Sequence, residues 1–388
     1  RAKTHIPLLV LVPDSDARAM LLAKPELQNV CELVAVASLA EAFRAFHDAY
    51  VRAQTAKNKA EPAVNPSSVF IAQNNPYQLL SEVRDEPIGV LAALVALVGN
   101  HHVLFAGPHG MGKSMLIRAI CEAASPLQAR EAVEREGVFR SFGGEFGQGE
   151  GALATLQKPI VHLQASVSRA ALEGALLTSG QVLPGELTRA HYGFLISDEL
   201  LEFRRDVIEA LRQPLDEGVV RLQRAKFRTL LPAKFQWLAS TNLCPCGYFG
   251  KEERACRCAK MRRDSYQAKL SGPLMDRFDL IVLLGSHSKA ARSVVVPKDM
   301  IPLLTDLLNP KTWSERVQNA RTLVPAIEPF ENPAEVWSQV YVRASNRGKL
   351  KLAKVSRTLA ALLGEKRSAR HLKLATLLRQ FLETVLRG

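Results

Sequence analysis

Residues 107–114 read GPHGMGKS, which fits the spacing G-x-x-x-x-G-K-S between an apolar run and a helical pattern. Glycines let such a loop turn tightly and point its backbone N–H groups inward, and the following helix adds its positive end. Lys113 would reach the β and γ phosphates, and the Ser114 hydroxyl would ligate Mg²⁺. A chance glycine turn is the alternative. The spacing predicts a nucleotide site built from Gly107, Pro108, His109, Gly110, Met111, Gly112, Lys113, Ser114 and Met115.

Polar residues also follow two further apolar runs, FLIS and QWLAST. Ligands gather where parallel strands end, so these residues are candidates for the same site. Asp198 would hold Mg²⁺, mostly through water, and Glu199 would orient and polarise the attacking water. Capping of the next helix is the alternative for this acidic pair. Asn242 would position the same water, although an ordinary turn asparagine is an equally good interpretation.

Three arginines are candidates for contact with a nucleotide. Arg277 stands beside two aspartates, a pattern that usually indicates a local ion pair. In a ring ATPase, however, the same arginine would project to the γ-phosphate of the nucleotide bound by the neighbouring subunit and stabilise transition-state charge. Arg357, in a later helical region, would close over the nucleotide of its own chain, with Arg370 as the fallback.

Four of the six cysteines lie within fifteen residues, as C-x-C, nine residues and C-x-C. Four thiolates at this density can close a tetrahedral Zn²⁺ site, and the glycines and charges between them cannot build a core. Reduced thiols or a labile disulfide are the alternatives. The predicted structural zinc ligands are Cys244, Cys246, Cys256 and Cys258.

Residues 221–234 are basic and contain no acidic residue. The pattern predicts a hairpin whose tip grips a phosphate backbone without reading sequence. A solvated strand edge protected by charge is the alternative. A second basic run, residues 343–373, is weaker support, because a solvated helical face explains most such runs. The DNA-binding candidates in the hairpin are Arg221, Arg224, Lys226 and Arg228.

The bulk composition favours a polyanionic partner. The 388-residue chain carries a formal net charge of +13, so nucleic acid is the first candidate and an anionic membrane the second. A generally basic surface is the alternative. No apolar run reaches the length of a membrane span, and no secretory signal begins the sequence. We therefore expect a cytoplasmic protein.

The apolar patterns divide the chain into four parts. Residues 1–52 form a small α/β piece, and residues 53–67 are a polar linker. Residues 68–285 alternate strands and helices as a parallel-sheet nucleotide domain does, with strands predicted at VLFAG, FLISDE, QWLAST and LIVLLG. An irregular glycine-rich insertion lies at about 143–185. Helical periodicity dominates residues 286–388.

At this point the sequence resembles a known family. The segments DELLEFRRDVIEALRQPLDEGVVRLQRAKF, NLCPCGY, CRC and SGPLMDRFDL are similar to those of the ComM-type, or YifB, magnesium-chelatase-like AAA+ ATPases. The resemblance covers roughly residues 68–388 and is most specific across 185–280, beginning with PGELTRAH. Residues 1–52 resemble the tail of the Lon-protease-like domain that precedes the ATPase in this family.

The resemblance implies an α/β fold: an AAA+ P-loop core with a helix-2 insert, a helical lid domain and the remnant of a Lon-protease-like domain. It implies ATP and Mg²⁺ as cofactors and a hexameric ring, in a bacterial cytoplasm. The implied activity is ATP-driven DNA branch migration in homologous recombination, notably natural transformation. Lys113, Asp198, Glu199, Asn242, Arg277 and Arg357 take their roles by motif position.

The sequence also departs from the family pattern. His109 stands where the family usually has proline, and Leu201 replaces the proline of DELPEF. The paired histidines of the insert are missing from VHLQASVS.

Two alternatives to the DNA motor stay open. One is a chelatase-like ATPase that remodels a protein or inserts a metal without DNA, and the other is a nucleotide-gated scaffold that does not hydrolyse.

Overall fold

The computed structural model describes most of the chain from residue 76 onward and two strands before it. The described residues are 8–13, 31–36, 76–83, 86–141, 156–177, 181–224, 227–251, 253–285, 300–330, 336–338, 340 and 345–386. The chain divides into two compact units, Arg1–Gln73 and Asn74–Gly388. In the first unit, β1 (Leu8–Pro13) and β2 (Cys31–Val36) pair in parallel. Both strands lie in the predicted small α/β piece, whereas the predicted linker, residues 53–67, lies outside the described residues.

A five-stranded parallel sheet forms the centre of the second unit. In sheet order, its strands are β11 (Leu280–Leu283), β3 (Val103–Ala106), β10 (Gln236–Thr241), β7 (Phe194–Ser197) and β4 (Ile160–Leu163). Four of its strands are buried along their whole length, which matches their continuous apolar sequences. These four confirm the predicted strands.

The edge strand β4 was not predicted, because it lies within the expected irregular insertion. Only Leu163 of its four residues is buried, and His162 interrupts the apolar residues of its sequence, IVHL. Within that insertion, β5 (Gly174–Leu176) and β6 (Val182–Pro184) also form a short antiparallel pair. Residues 143–155 of the insertion lie outside the described part of the chain.

A separate antiparallel hairpin precedes β10. It consists of β8 (Val219–Arg224) and β9 (Phe227–Pro232), which are in register from Val219 opposite Pro232 to Arg224 opposite Phe227. The basic segment therefore forms the predicted hairpin. One of its strands leads by a short connection into the central sheet.

Helices cover both faces of the central sheet. Their bounds are Gln78–Glu82, Pro87–Gly99, Lys113–Glu122, Ala129–Ser141, Arg169–Glu173, Glu186–Arg189, Arg205–Ala210, Arg212–Glu217, Lys260–Gln267, Gly272–Met275, Ile301–Leu307, Trp313–Leu323, Asn346–Leu363 and Ala369–Leu386. The last three confirm the predicted helical character of the C-terminal region. No described helix is long and apolar enough to cross a membrane.

Two apolar cores lie on either side of the sheet. One is centred on the helix Pro87–Gly99, whose residues from Gly89 to Val98 are all buried, and it includes side chains of the C-terminal helices. The other contains Phe203, and Trp237 stacks on Phe278 there with ring centroids 4.3 Å apart. The sheet is thus held rigidly from both sides, which fixes the loops at its edge.

A buried polar cluster ties the helix Asn346–Leu363 to the start of β11. The Asp279 carboxylate accepts a hydrogen bond from the His102 backbone N–H at 2.9 Å. It forms ion pairs with Lys351 at 3.0 Å and Lys354 at 3.5 Å, both from that helix. His101 lies 3.6 Å from the same carboxylate and hydrogen-bonds to Thr358 at 2.8 Å. Ion pairs as well as apolar contacts therefore hold the helical region to the sheet.

Candidate functional site

A cavity of about 610 Å³ opens where β3, β7 and β10 end. All strands of the sheet are parallel, so their C-terminal ends and the loops that follow them meet at this edge. The cavity is lined by His109, Gly110, Met111, Gly112, Lys113, Ser114, Met115, His162, Leu163, Gln164, Ala165, Ile196, Asp198, Glu199, Ser240 and Asn242. Seven of the nine residues predicted from the glycine-rich loop are among them; Gly107 and Pro108 instead present their carbonyl groups to Lys113.

The glycine-rich loop, residues 107–114, turns directly from the buried strand β3 into the helix Lys113–Glu122. Gly112 caps this helix with φ +76°, a left-handed conformation that glycine adopts without a steric penalty. The loop is anchored at two points outside itself. The Gly107 N–H donates to the Thr241 carbonyl at 3.1 Å, and the His109 N–H donates to the Gly247 carbonyl at 2.8 Å. The helix N-terminus therefore faces the cavity from a fixed position.

Lys113 is the cation of the cavity. Its Nζ donates to the carbonyls of Gly107 and Pro108 at 2.8 and 2.6 Å, and to Asn242 Oδ1 at 3.0 Å. Burial lowers the pKa of Lys113 to about 8, although the nearby carboxylates of Glu199 and Asp198 oppose this shift. The amine therefore stays mainly protonated at neutral pH, as a ligand for phosphate oxygens requires.

Ser114 and Asp198 come together although they are 84 residues apart. The Ser114 hydroxyl donates to Asp198 Oδ1 at 3.4 Å, and the Ser240 hydroxyl donates to the same oxygen at 2.8 Å. A hydroxyl and a carboxylate are the oxygen ligands that Mg²⁺ prefers beside nucleotide phosphates. These two side chains therefore fit the predicted magnesium role. Ser240 was not predicted, although its place at the end of β10 was a usable signal.

Glu199 adopts a left-handed conformation with φ +54°, which is uncommon for a residue other than glycine. Its N–H lies 3.3 Å from the Ser240 hydroxyl, and its side chain borders the cavity. Backbone strain of this kind clusters at functional sites. Lys113, Ser114, Asp198, Glu199 and Asn242 thus share one cavity, which is the geometry that the motif positions predicted.

Arg277 lies outside the cavity of its own chain. It is buried, and its Nη2 donates to Asp216 at 2.7 Å while Nε donates to the Arg212 carbonyl at 3.1 Å. A further bond goes from Nη1 to the Pro273 carbonyl. The ion-pair partner is thus Asp216, 61 residues away, and neither of the adjacent aspartates that the sequence suggested.

The two remaining arginine candidates also lie away from the cavity. Arg357 donates to the carbonyls of Ile327 and Pro325 at 2.9 and 3.0 Å, so its guanidinium is engaged within the helical region. Arg370 pairs with Glu365. Neither borders the cavity, which differs from the expectation that Arg357 closes over the nucleotide of its own chain. The helix that carries Arg357 contacts the sheet at the start of β11, opposite the strand ends that form the cavity.

The four predicted zinc ligands converge. The thiol sulfurs of Cys244, Cys246, Cys256 and Cys258 all lie within 4.8 Å of one another. Three of the sulfur pairs are 3.3 to 3.6 Å apart, close to the separation of about 3.8 Å that a tetrahedral site with Zn–S bonds of ~2.3 Å requires. The donor set therefore fits a structural Zn²⁺ ion. We call residues 244–258 the cysteine loop.

The hairpin of β8 and β9 exposes part of the predicted basic set. Arg221 is exposed and ion-paired with Glu217 at 2.9 Å, and Arg228 is exposed. The backbone of Arg224 lies in β8, but its side chain and the whole of Lys226 lie outside the described residues. Phe227 and Leu230 of β9 are also exposed, by 44% and 59%, so the hairpin surface is partly apolar.

The structure has a P-loop NTPase-like core. Four features together define it: the strand order of the sheet, the glycine-rich loop, the lysine of that loop and the carboxylates at the strand ends. The family described as "Magnesium chelatase, subunit ChlI" matches residues 79–292, which is more than half of the chain. The chain belongs to this family. The family implies ATP and Mg²⁺ as ligands of the cavity, in agreement with the residues that line it.

Several curated proteins are similar to the chain. An uncharacterized protein of Mycobacterium tuberculosis is 37% identical over 203 residues, which is 52% of this chain and 39% of that protein. The uncharacterized protein YifB of Escherichia coli is 30% identical over 292 residues, which is 72% of this chain and 56% of that protein. The competence protein ComM of Haemophilus influenzae is 33% identical over 225 residues, which is 58% of this chain and 42% of that protein. The resemblance to ComM/YifB-type proteins is confirmed, and the chain spans about 39% to 56% of the length of these relatives.

Proposed function

We propose that this chain hydrolyses ATP and uses the energy to move DNA, as the subunit of a homohexameric ring that promotes branch migration in homologous recombination or natural transformation. The observation that carries the proposal is the convergence of Lys113, Ser114, Asp198 and Glu199 on one cavity. The family match and the similarity to a competence protein support it.

The cavity residues have separate tasks in this proposal. Lys113 and the loop N–H groups hold the phosphates, and Ser114 and Asp198 hold Mg²⁺, which neutralises charge on the β and γ phosphates. Glu199 orients a water molecule for attack on the γ-phosphorus and takes the proton that the water loses. Asn242, hydrogen-bonded to Lys113, helps to hold that water. The ADP–phosphate bond breaks as the new P–O bond forms.

The ring hypothesis gives Arg277 a role between subunits. Arg277 does not border the cavity of its own chain, so the γ-phosphate that it would stabilise is that of a neighbour. Its bonds to Asp216 and to the carbonyls of Arg212 and Pro273 would have to open for this contact. Mixing Arg277→Ala chains, which keep an intact cavity, with Glu199→Gln chains, which keep the arginine, tests the role. We expect the mixture to hydrolyse ATP faster than either variant alone, because a mixed ring contains complete sites.

The DNA contact is assigned to the hairpin of β8 and β9. Exposed arginines on a hairpin can bind phosphates without reading bases, and the net charge of +13 favours a polyanion. In a ring, six such hairpins would line the channel and move with each nucleotide cycle. The four cysteines would hold a structural Zn²⁺ ion beside the cavity.

DNA-stimulated hydrolysis is the direct test. ATP turnover is measured at low salt with single-stranded, duplex and branched DNA, and we expect stimulation that falls steeply as salt rises. The double variant Arg221→Ala/Arg228→Ala should lose the stimulation and keep the basal rate. The matched control is Arg118→Ala, which removes another exposed, ion-paired arginine away from the hairpin. Turnover that ignores all three DNA forms would refute the motor.

A second candidate is an ATPase that remodels a protein or inserts a metal without DNA. The name of the matching family and the exposed Phe227 and Leu230 on the hairpin favour it, since an apolar surface suits a protein partner better than a phosphate backbone. In this case ATP turnover would ignore DNA and respond to a protein partner. A Phe227→Ser/Leu230→Ser variant would then lose that response.

A further inference from the structure

The cysteine loop is in direct contact with the glycine-rich loop. The carbonyl of Gly247 accepts the hydrogen bond from the His109 N–H at 2.8 Å. Gly247 has φ +78°, and a Cβ at this position would lie 3.4 Å from the His109 Cβ, so the two loops are closely packed here. The N–H of Gly247 in turn donates to the Cys244 carbonyl at 3.0 Å. The third residue of the glycine-rich loop is thus two hydrogen bonds from a cysteine.

A second connection runs along the chain. Asn242, the residue that receives the Lys113 hydrogen bond, is separated from Cys244 by one residue, Leu243. Leu243 and Cys244 are both buried, and the Leu243 carbonyl accepts a hydrogen bond from the Gln267 side chain at 2.8 Å. The position of Asn242 in the cavity therefore depends on where this short buried segment is held.

The cysteine cluster determines the shape of the segment that makes both contacts. Cys244 and Cys246 are the first and third residues of the four-residue turn that ends at Gly247, and Cys256 and Cys258 close the loop from the other end. The Cys244 sulfur also accepts the Phe249 N–H at 3.3 Å. Between the two cysteine pairs, six of the nine residues are glycine or charged, so burial holds this stretch at few points, one of which is Phe249. A metal ion bound by the four sulfurs would fix it instead.

The His109 contact depends on a backbone N–H. Alanine at this position would keep the N–H, whereas proline would remove it. Comparing the alanine and proline variants therefore separates the effect of the hydrogen bond to Gly247 from the effect of the His109 side chain. Few contacts between two loops can be tested with so close a pair of variants.

We propose that Zn²⁺ bound by the four cysteines and nucleotide bound in the cavity stabilise each other, through the His109–Gly247 hydrogen bond and the segment from Asn242 to Cys244. A metal that fixes the cysteine loop holds both anchoring points of the nucleotide site in place. By linkage, bound nucleotide must then strengthen zinc binding by the same factor. The inference rests on nucleotide binding in the cavity but not on DNA or on hydrolysis.

The test compares zinc-loaded and zinc-stripped protein under reducing conditions that prevent disulfides. ADP affinity is measured by equilibrium titration, and we expect it to fall about fivefold or more when zinc is removed, the lower end of ordinary coupling between sites. Zinc release to a colorimetric chelator is measured with and without ADP, and ADP should slow it. Circular dichroism of the stripped protein verifies that the rest of the chain stays folded.

The variants locate the connection. His109→Ala keeps the N–H and should show the parent's ratio of ADP affinities between loaded and stripped protein, whereas His109→Pro should show a ratio closer to one. Equal ADP affinity with and without zinc in the parent protein would overturn the inference and leave the proposed ATPase standing. An unchanged ratio in His109→Pro would overturn the His109–Gly247 route. Absence of ADP binding in every form would overturn both the inference and the proposed nucleotide site.

Discussion

Asp279 offers the sharpest test of how the helical region is attached to the sheet. Its carboxylate is fully buried, accepts the His102 N–H at 2.9 Å and faces Lys351 and Lys354 from the helix Asn346–Leu363. Although burial raises the pKa of Asp279, the neighbouring His101 and the positive charge of Lys354 hold it well below its usual 3.8. The group is therefore ionised in the folded protein at neutral pH.

The structure sets the expected cost of Asp279→Ala. Removing one partner of a buried ion pair costs about 3 to 5 kcal/mol when the remaining charge stays buried. The two lysines here are 25% and 48% exposed, so their amines can turn toward water and recover part of that cost. The His102 N–H cannot do so and loses a hydrogen bond to a charged group, worth about 1.5 to 3 kcal/mol. We expect a loss of about 3 kcal/mol in the free energy of unfolding.

Urea unfolding at neutral pH, followed by the fluorescence of the buried Trp237 and Trp313, measures this loss. Asp306→Ala is the matched control, because Asp306 pairs with Arg316 at 2.7 Å but is 55% exposed. Such exposed pairs contribute about 0 to 1 kcal/mol. If Asp279→Ala costs no more than Asp306→Ala, the buried cluster does not hold the helical region to the sheet and the reasoning is wrong.

Three further predictions concern the cavity and the buried histidines. Glu199→Gln should keep ADP and ATP affinity within about twofold and lose more than about a hundredfold in turnover, because only the proton acceptor is removed; equilibrium binding and phosphate release measure the two. Ser114→Ala should raise the Mg²⁺ concentration needed for half-maximal nucleotide binding, measured by titration with Mg²⁺, and unchanged Mg²⁺ dependence would contradict its role. Burial lowers the pKa of His191 to about 4 and of His102 to about 3, from 6.5. The unfolded chain therefore binds more protons below pH 6.5, and the urea midpoint should fall as pH drops from 6.5 toward 4.

Much of the central sheet could be predicted from the sequence, because strands that are buried on both faces have continuous apolar sequences. β3, β7, β10 and β11 are short apolar runs covered on both sides, and the first three end in the polar residues or the loop that form the site. The parallel arrangement then brings these ends together, so motif positions were enough to place Lys113, Ser114, Asp198, Glu199 and Asn242 in one cavity. β4 escaped prediction because an edge strand with one buried residue has no such pattern.

The contacts that were not predicted join residues far apart in the sequence. Arg277 meets Asp216 rather than its neighbours, and Arg357 caps carbonyls near Ile327 rather than a nucleotide. Both depend on how the helices pack, which local sequence does not specify. The hydrogen bond from His109 to Gly247 joins two backbones, so residue types alone give no signal for it.

The almost completely enclosed helix Pro87–Gly99 has a consequence for dividing the chain. One continuous core connects its Leu91 and Val95 with Leu359 and Leu378 of the last two helices. Each aliphatic side chain that is returned to water costs about 1.5 to 3 kcal/mol of folding free energy. A truncated protein that stops after β11 would therefore expose a large apolar surface and aggregate. Expression trials should therefore keep the sheet and the last two helices on one polypeptide, since neither half would remain in solution without the other.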